Sequence, residues 1–108
     1  MTLPIKIIIQ SVIQKISAEG IGIYVIQSGE DNRGTLYVKT IGCVKIMSGA
    51  FKIHTRAYDF HTDDYIWEIN TYEDEQQCDN ALSNHASRDR DSWTIEIETN
   101  TNPFKDIF

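Results

Sequence analysis

The chain has 108 residues, of which 41% are hydrophobic and 24% charged, and its formal net charge at pH 7 is -6. These values are typical of one globular domain and differ from those of disordered segments. Because nucleic-acid affinity depends on lysine and arginine displacing counterions, this acidity argues against nucleic acid and anionic membranes as partners. The sequence has no apolar run of roughly 20 residues and no basic signal-peptide start, so we expect a cytoplasmic protein.

The first part of the chain predicts a helix followed by a hairpin. Isoleucine and valine recur at helical spacing from Ile5 to Ile16, and Gly20 suits the helix end. Residues 21–27 are nearly all apolar, which predicts an interior strand covered on both faces. Turn-forming residues connect it to a strand at 35–41, and the two strands form the predicted hairpin.

The middle of the chain predicts three more strands. Two of them, at 43–48 and 51–56, flank a turn at Gly49, and another covers 65–70. Apolar and polar side chains alternate along 51–56, so we expect one dry face and one wet face. His54 belongs to the wet face.

The last part predicts a helix and a closing strand. A T-x-x-D capping pattern that begins at Thr71 predicts a helix start, and a thin apolar stripe follows it. From Trp93 to Glu98 apolar and polar residues alternate, which places Trp93, Ile95 and Ile97 toward the core.

The predicted order of elements is helix, about five strands, helix and strand. It indicates an α+β fold: a single two-layer domain over residues 1–108, with a mainly antiparallel sheet and both helices on one face. Residues 99–108 begin as a polar loop and end in apolar side chains, so this C-terminal tail either is flexible or docks on the domain.

Local patterns in the first helix, the first hairpin and the closing junction also match a known family. The matching positions are Gln10, Gly29, Gly34, Leu36, Val38, Lys39, Asp89, Asp91, Trp93, Glu96 and Glu98. Over nearly its whole length the chain resembles the alphaproteobacterial family called domain of unknown function 1491. That family often has proline at the position of Arg90 and apolar residues at those of Arg88 and Ser92. The resemblance implies a compact intracellular α+β protein and no established activity.

Imidazole and carboxylate side chains in one stretch are the sharpest candidates for chemistry: His54, Asp59, His61 and Asp64. Ligands of these types that lie close in sequence can converge on Zn or Mn, which predicts a metal-dependent hydrolase or nuclease-like enzyme as one alternative. Their spacing matches no standard site, however, and a solvated loop explains the same residues.

Two cysteines and a group of aromatic residues complete the candidates. Cys43 and Cys78 fall within predicted regular structure and form no C-x-x-C pair, so we predict inert buried thiols. Tyr58 and Phe60 lie in a polar segment near Arg56, and these residue types are enriched at protein interfaces.

These patterns favour a small non-catalytic protein-interaction domain over an enzyme. Its candidate interaction residues are Arg56, Tyr58, Phe60, Glu96 and Glu98. We expect the partner to be another protein or a second copy of the chain bound at an exposed sheet edge. We predict no cofactor and no resident metal.

Overall fold

The computed structural model describes residues 4–31, 35–42 and 51–105, apart from the side chains at positions 57 and 58. Within these residues helix α1 spans Ile5–Ala18 and helix α2 spans Glu75–Arg88. The strands are β1 (Ile23–Gln27), β2 (Leu36–Ile41), β3 (Phe51–Asp59), β4 (Asp64–Tyr72) and β5 (Trp93–Ile97). The predicted strand at 43–48 lies outside the described residues. Neither described helix is long and apolar enough to cross a membrane.

The described strands form one sheet in the order β1-β5-β2-β3-β4. Strand β5 is antiparallel to β1 and parallel to β2, whereas β2, β3 and β4 pair antiparallel in succession. The predicted α+β class and mainly antiparallel sheet are therefore confirmed. The predicted hairpin of β1 and β2 is wrong, because β5 lies between these strands and hydrogen-bonds to both. A turn-rich connection permits local pairing, but it does not exclude a third strand from elsewhere in the chain.

The two helices cover opposite faces of the sheet. Leu36 and Val38 pack with α1 in one core, whereas Tyr37 and Ile41 pack with α2 in another. Because successive side chains of a strand point to opposite faces, the sheet lies between the helices. This arrangement corrects the prediction of two layers with both helices on one face. We call the two sides the α1 face (with Val38) and the α2 face (with Tyr37).

The larger core lies on the α1 face. It contains one side of α1 and the inward side chains of three strands, with Phe104 from the C-terminal segment. The buried α1 residues are Ile5, Ile8, Ile9, Val12 and Ile16. Each fully buried aliphatic side chain contributes about 1.5–3 kcal/mol, so this packing stabilises a β-branched sequence as a helix. The C-terminal segment packs on the sheet, because Phe104 is fully buried.

The junction before β5 is tied to the end of β1. The side-chain amide nitrogen of Gln27 lies 3.3 Å from the backbone carbonyl oxygen of Asp89 and 3.1 Å from that of Ser92. The indole N–H of Trp93, buried as predicted, donates to the carbonyl of Glu30 at 2.8 Å. A Cβ at Gly29 would contact the backbone of 91 and 92, so this approach requires glycine.

Strand β1 is the main exception to the predicted burial. It lies at one edge of the sheet, and Tyr24, Val25 and Ile26 are exposed. The prediction of an interior strand covered on both faces is therefore wrong. Apolar composition predicted burial, but the central position belongs to β5, whose side chains are mostly buried.

Candidate functional site

The four predicted metal ligands do not converge. His54 lies in the middle of β3, whereas Asp59 and Asp64 face each other where β3 and β4 meet. Five residues along a strand span about 17 Å, so His54 cannot share one ion with the two carboxylates. The side chain of Asp59 accepts hydrogen bonds from the backbone N–H of His61 at 3.0 Å and the hydroxyl of Thr62 at 3.2 Å. These contacts shape the turn.

His54 also differs from its predicted environment. Its side chain is buried, and Nε2 lies 2.9 Å from the hydroxyl of Thr40. The C-terminal segment 99–105 borders the same cleft as His54, so the predicted wet face of β3 is covered. Burial lowers the pKa of His54 below its usual value, and the charges of Lys52 and Lys105 lower it further.

The strongest charge cluster surrounds Lys39, which sequence reasoning placed in a strand without a functional role. Its side chain is 1% exposed, and Nζ lies 2.9 Å from Glu75, 2.5 Å from Asp79 and 2.9 Å from Glu96. Burial opposes the charged form, but hydrogen bonds to the three carboxylates outweigh it and raise the pKa of Lys39 above its usual value. Lys39 therefore remains an ammonium that connects β2 with α2 and β5.

The same three carboxylates are a possible ligand set for a metal ion, since their oxygen atoms lie within 4.8 Å of one another. The Nζ of Lys39 already occupies the space between them. Its 2.9 Å contact with Glu96 is an ammonium hydrogen bond, whereas Mg²⁺ requires about 2.0–2.1 Å and Ca²⁺ about 2.3–2.6 Å. The cluster is best described as a cage for the ammonium.

This cage changes the interpretation of Glu96. The alternation from Trp93 to Glu98 predicts that Glu96 points outward and is available to a partner, yet its carboxylate binds Lys39 and is partly buried. Glu98, the other acidic candidate, is exposed. Its carboxylate lies so close to Gly22 that a side chain at that position would collide with it. A signal for the cage was present in α2, because Glu75 and Asp79 are four residues apart and share one helix side.

The other predicted interaction residues lie near the β3–β4 end of the sheet. Phe60 is 88% exposed in the turn between these strands. The guanidinium carbon of Arg56 lies 3.6 Å from the centroid of the Tyr65 ring, an arrangement typical of a cation–π contact. The side chain of Tyr58 lies outside the described residues. Together with exposed side chains of β4, Phe60 and Tyr65 give this edge an apolar surface.

The described cysteine has no features of a nucleophile. Cys78 is fully buried, as predicted, and burial raises the pKa of its thiol to about 11. Only the thiolate is a strong nucleophile, so this group is inert near neutral pH. His85 on the same helix stacks on Tyr37 with ring centroids 4.9 Å apart. Cys43 lies outside the described residues.

These observations define an α+β protein with helices on both sides of one mixed sheet. A family model described as "Protein of unknown function (DUF1491)" matches residues 3–104, and the chain belongs to this family. The resemblance inferred from the sequence is confirmed. No curated protein matches the chain.

Solved structures from two bacteria share this fold. The crystal structure of a DUF1491 family protein from Caulobacter crescentus has a TM-score of 0.73 and 20% identity, and the match covers 92% of this chain and 90% of that one. The solution structure of an A. tumefaciens protein has a TM-score of 0.70 and 20% identity, with 94% and 90% covered. At these identities the likeness shows the fold alone.

Proposed function

We propose that this protein is a non-catalytic interaction domain that pairs with a second copy of itself along β4. The observation that carries the proposal is the composition of that edge. Strand β4 has nine residues, contains no lysine or proline, and pairs with β3 in continuous register. Its exposed large hydrophobic side chains are Tyr65, Ile66 and Ile69. A long, regular edge with exposed apolar side chains and without lysine, proline or a bulge is a surface that another strand can extend.

The opposite edge of the sheet is less suited to pairing. Strand β1 has five residues, and its register shifts between Val25 and Gln27. Such an irregularity bends the strand and interrupts the ladder of hydrogen bonds. Both edges expose apolar side chains, so length and regularity favour β4 over β1.

The sequence of β4 also permits a two-fold pairing. In an antiparallel pair of identical strands with a two-fold axis, one residue lies opposite its own copy. If that residue is Trp67, then Tyr65 faces Ile69 of the second copy and Ile66 faces Glu68. No like charges face each other in this register. If the central residue is Glu68, two carboxylates face each other, which is destabilising.

Matched substitutions on the two edges test this proposal. Ile69 on β4 and Ile26 on β1 are both 57% exposed, so a lysine at either position leaves the core intact. We expect Ile69→Lys to weaken dimerisation by at least about tenfold, which corresponds to about 1.4 kcal/mol. Ile26→Lys should leave the dimer unchanged.

Sedimentation equilibrium over micromolar to millimolar concentrations gives the dimer dissociation constant for each protein. Thermal unfolding of both variants provides the control for an intact fold. A wild-type protein that stays monomeric throughout this range contradicts the proposal. Equal weakening by the two substitutions contradicts the choice of β4.

A further inference from the structure

A cleft of about 390 Å³ opens on the α1 face between the sheet and the C-terminal segment 99–105. Strand β3 contributes Lys52 and His54, β4 contributes Trp67, and the C-terminal segment contributes Lys105. We call it the basic cleft. Its size is within the range of small-molecule sites, which combine apolar walls with a few convergent polar groups.

The charges around the basic cleft have one sign. None of its lining residues is acidic, although the whole chain carries a net charge of -6. Neither Lys52 nor Lys105 forms an ion pair within residues 4–31, 35–42 and 51–105. Both lysines lower the pKa of His54, so their positive potential reaches the imidazole. An anion placed there gains two ammonium partners.

The fold holds these groups in position before any ligand arrives. Lys52 and His54 are two residues apart on β3 and therefore share the α1 face. The hydroxyl of Thr40 is hydrogen-bonded to the His54 ring. In the C-terminal segment the side-chain oxygen of Asn102 accepts a hydrogen bond from the backbone N–H of Phe104 at 3.0 Å. The backbone carbonyl of Asn102 accepts a second one from the backbone N–H of Lys105 at 3.3 Å. Because Phe104 is fully buried, this turn is anchored to the core.

The other lining residues indicate the remainder of the ligand. Trp67 and Ile69 form an apolar wall, and an indole offers a flat surface on which a planar ring can stack. Asn100 and Thr101 add amide and hydroxyl groups that can bind polar atoms at a ring edge. A ligand that uses the entire cleft therefore carries a planar ring as well as negative charge.

We infer that the basic cleft binds a small phosphate monoester with a planar ring, a ligand of the mononucleotide class. Two lysines match the charge of about -1.5 to -2 that such a phosphate carries near pH 7, whereas a carboxylate carries one charge. The ring stacks on Trp67, and the phosphate lies between Lys52 and Lys105. The cleft shares Trp67 and Ile69 with the β4 edge, whereas its charged groups, Lys52 and Lys105, lie outside that strand.

Titration of the full chain with adenosine monophosphate tests the inference. Two-dimensional ¹H–¹⁵N NMR should show shifts of the Trp67 indole and of the backbone amides of residues 100–102, 104 and 105. Inorganic phosphate and adenosine are titrated in parallel. We expect both to bind at least about tenfold more weakly than the nucleotide, because each lacks one half of the contacts. Phosphate that binds as tightly as the nucleotide overturns the assignment of a ring.

Substitutions distinguish binding in the basic cleft from nonspecific electrostatic attraction to the protein. Lys105 is exposed, so Lys105→Gln leaves the fold intact, and we expect it to weaken nucleotide binding by about tenfold. Lys52→Gln should do the same. The control is Lys15→Gln on an exposed position of α1, which should change the affinity less than about twofold. Equal loss in all three variants overturns the inference, as does the absence of shifts at millimolar nucleotide.

A last comparison distinguishes a free nucleotide from a phosphorylated protein. Phosphotyrosine amide also carries a phosphate monoester and a planar ring, but on an amino-acid scaffold. Tighter binding of adenosine monophosphate supports the assigned class, and tighter binding of phosphotyrosine overturns it in favour of a phosphopeptide.

Discussion

The two faces of the sheet each bury one basic side chain, and the two side chains differ in the partners that surround them. On the α2 face, three carboxylates surround the ammonium of Lys39. On the α1 face, His54 has the hydroxyl of Thr40 as a hydrogen-bond partner and Lys52 and Lys105 as charged neighbours. In the described part of the chain, His54 forms no ion pair with a carboxylate.

The difference separates charges that stabilise the fold from charges that are available to a ligand. A buried ammonium without partners costs several kcal/mol, and the carboxylates from α2 and β5 remove that cost within the protein. On the α1 face burial lowers the pKa of His54, and no described carboxylate balances the charge of Lys52 or Lys105 through an ion pair. An external anion can supply that balance. The comparison therefore predicts opposite responses to substitution on the two faces.

The largest expected effect concerns Lys39. Lys39→Met leaves three carboxylates close together without a cation, and removal of one partner from a buried ion pair commonly costs about 3–5 kcal/mol. Because Glu75 and Asp79 are about half exposed, both carboxylates can turn toward water. We therefore expect a loss of about 2–4 kcal/mol in the free energy of unfolding.

Urea denaturation at pH 7 measures this loss, and Lys15→Met on the exposed side of α1 is the control. A change below about 0.5 kcal/mol at pH 7 contradicts a structural role for the cage.

Patterns of short range explain which parts of this fold were predictable. The helical spacing from Ile5 to Ile16 and the alternation from Trp93 to Ile97 identified α1 and β5, since each depends only on neighbouring residues. The family could be recognised as well, because its matching positions lie in short local patterns. The buried positions of Trp93, Ile95 and Ile97 followed from the same alternation.

Features that join distant segments were not predictable from such patterns. The position of β5 between β1 and β2 determines that β1 is an edge strand, and no residue in 21–27 encodes it. The cage around Lys39 requires three elements to meet, and the burial of His54 depends on a segment some fifty residues further along the chain. The alternation along β3 placed His54 on the correct face but could not show that this face is covered.

A smaller effect is expected on the α1 face. His54→Leu removes one hydrogen bond with Thr40 but buries no new charge, so we expect a loss of about 1 kcal/mol in the free energy of unfolding at pH 7. The contrast with Lys39→Met is the test. A larger loss for His54→Leu than for Lys39→Met contradicts the difference between the two faces.

His54 should also make stability depend on pH. Its folded pKa is lowered by burial and by Lys52 and Lys105, while Arg56, two residues along β3, contacts the ring of Tyr65 instead. Below about pH 6.5 the unfolded chain therefore binds more protons than the folded one, so stability falls as the pH decreases through this value. His54→Leu should remove this part of the pH profile. Urea denaturation between pH 7 and pH 5.5 measures this dependence. If the free energy of unfolding varies with pH as strongly in His54→Leu as in the wild type, the assignment to His54 is contradicted.

The smallest expected effect concerns the place where the two faces reach the β4 edge. In continuous register with β3, Tyr65 and Ile69 lie on the α1 face, and Ile66 and Glu68 lie on the α2 face. With Trp67 on the two-fold axis of the proposed dimer, Ile66 faces Glu68 of the second copy. Ile66→Lys should then create two favourable charge pairs, whereas Ile66→Glu creates two repulsive ones. Each pair contributes about 0.2–1 kcal/mol.

Sedimentation equilibrium at low ionic strength should therefore give a dissociation constant for Ile66→Glu at least about fourfold higher than for Ile66→Lys, because the two variants differ by four pair contributions of about 0.2 kcal/mol or more. The difference should shrink in 1 M salt, because exposed charges are then screened within about 3 Å. The matched pair Ile26→Lys and Ile26→Glu on β1 controls for net charge. If Glu68 occupies the axis instead, position 66 faces Asn70 of the second copy, and the two substitutions should have equal effects.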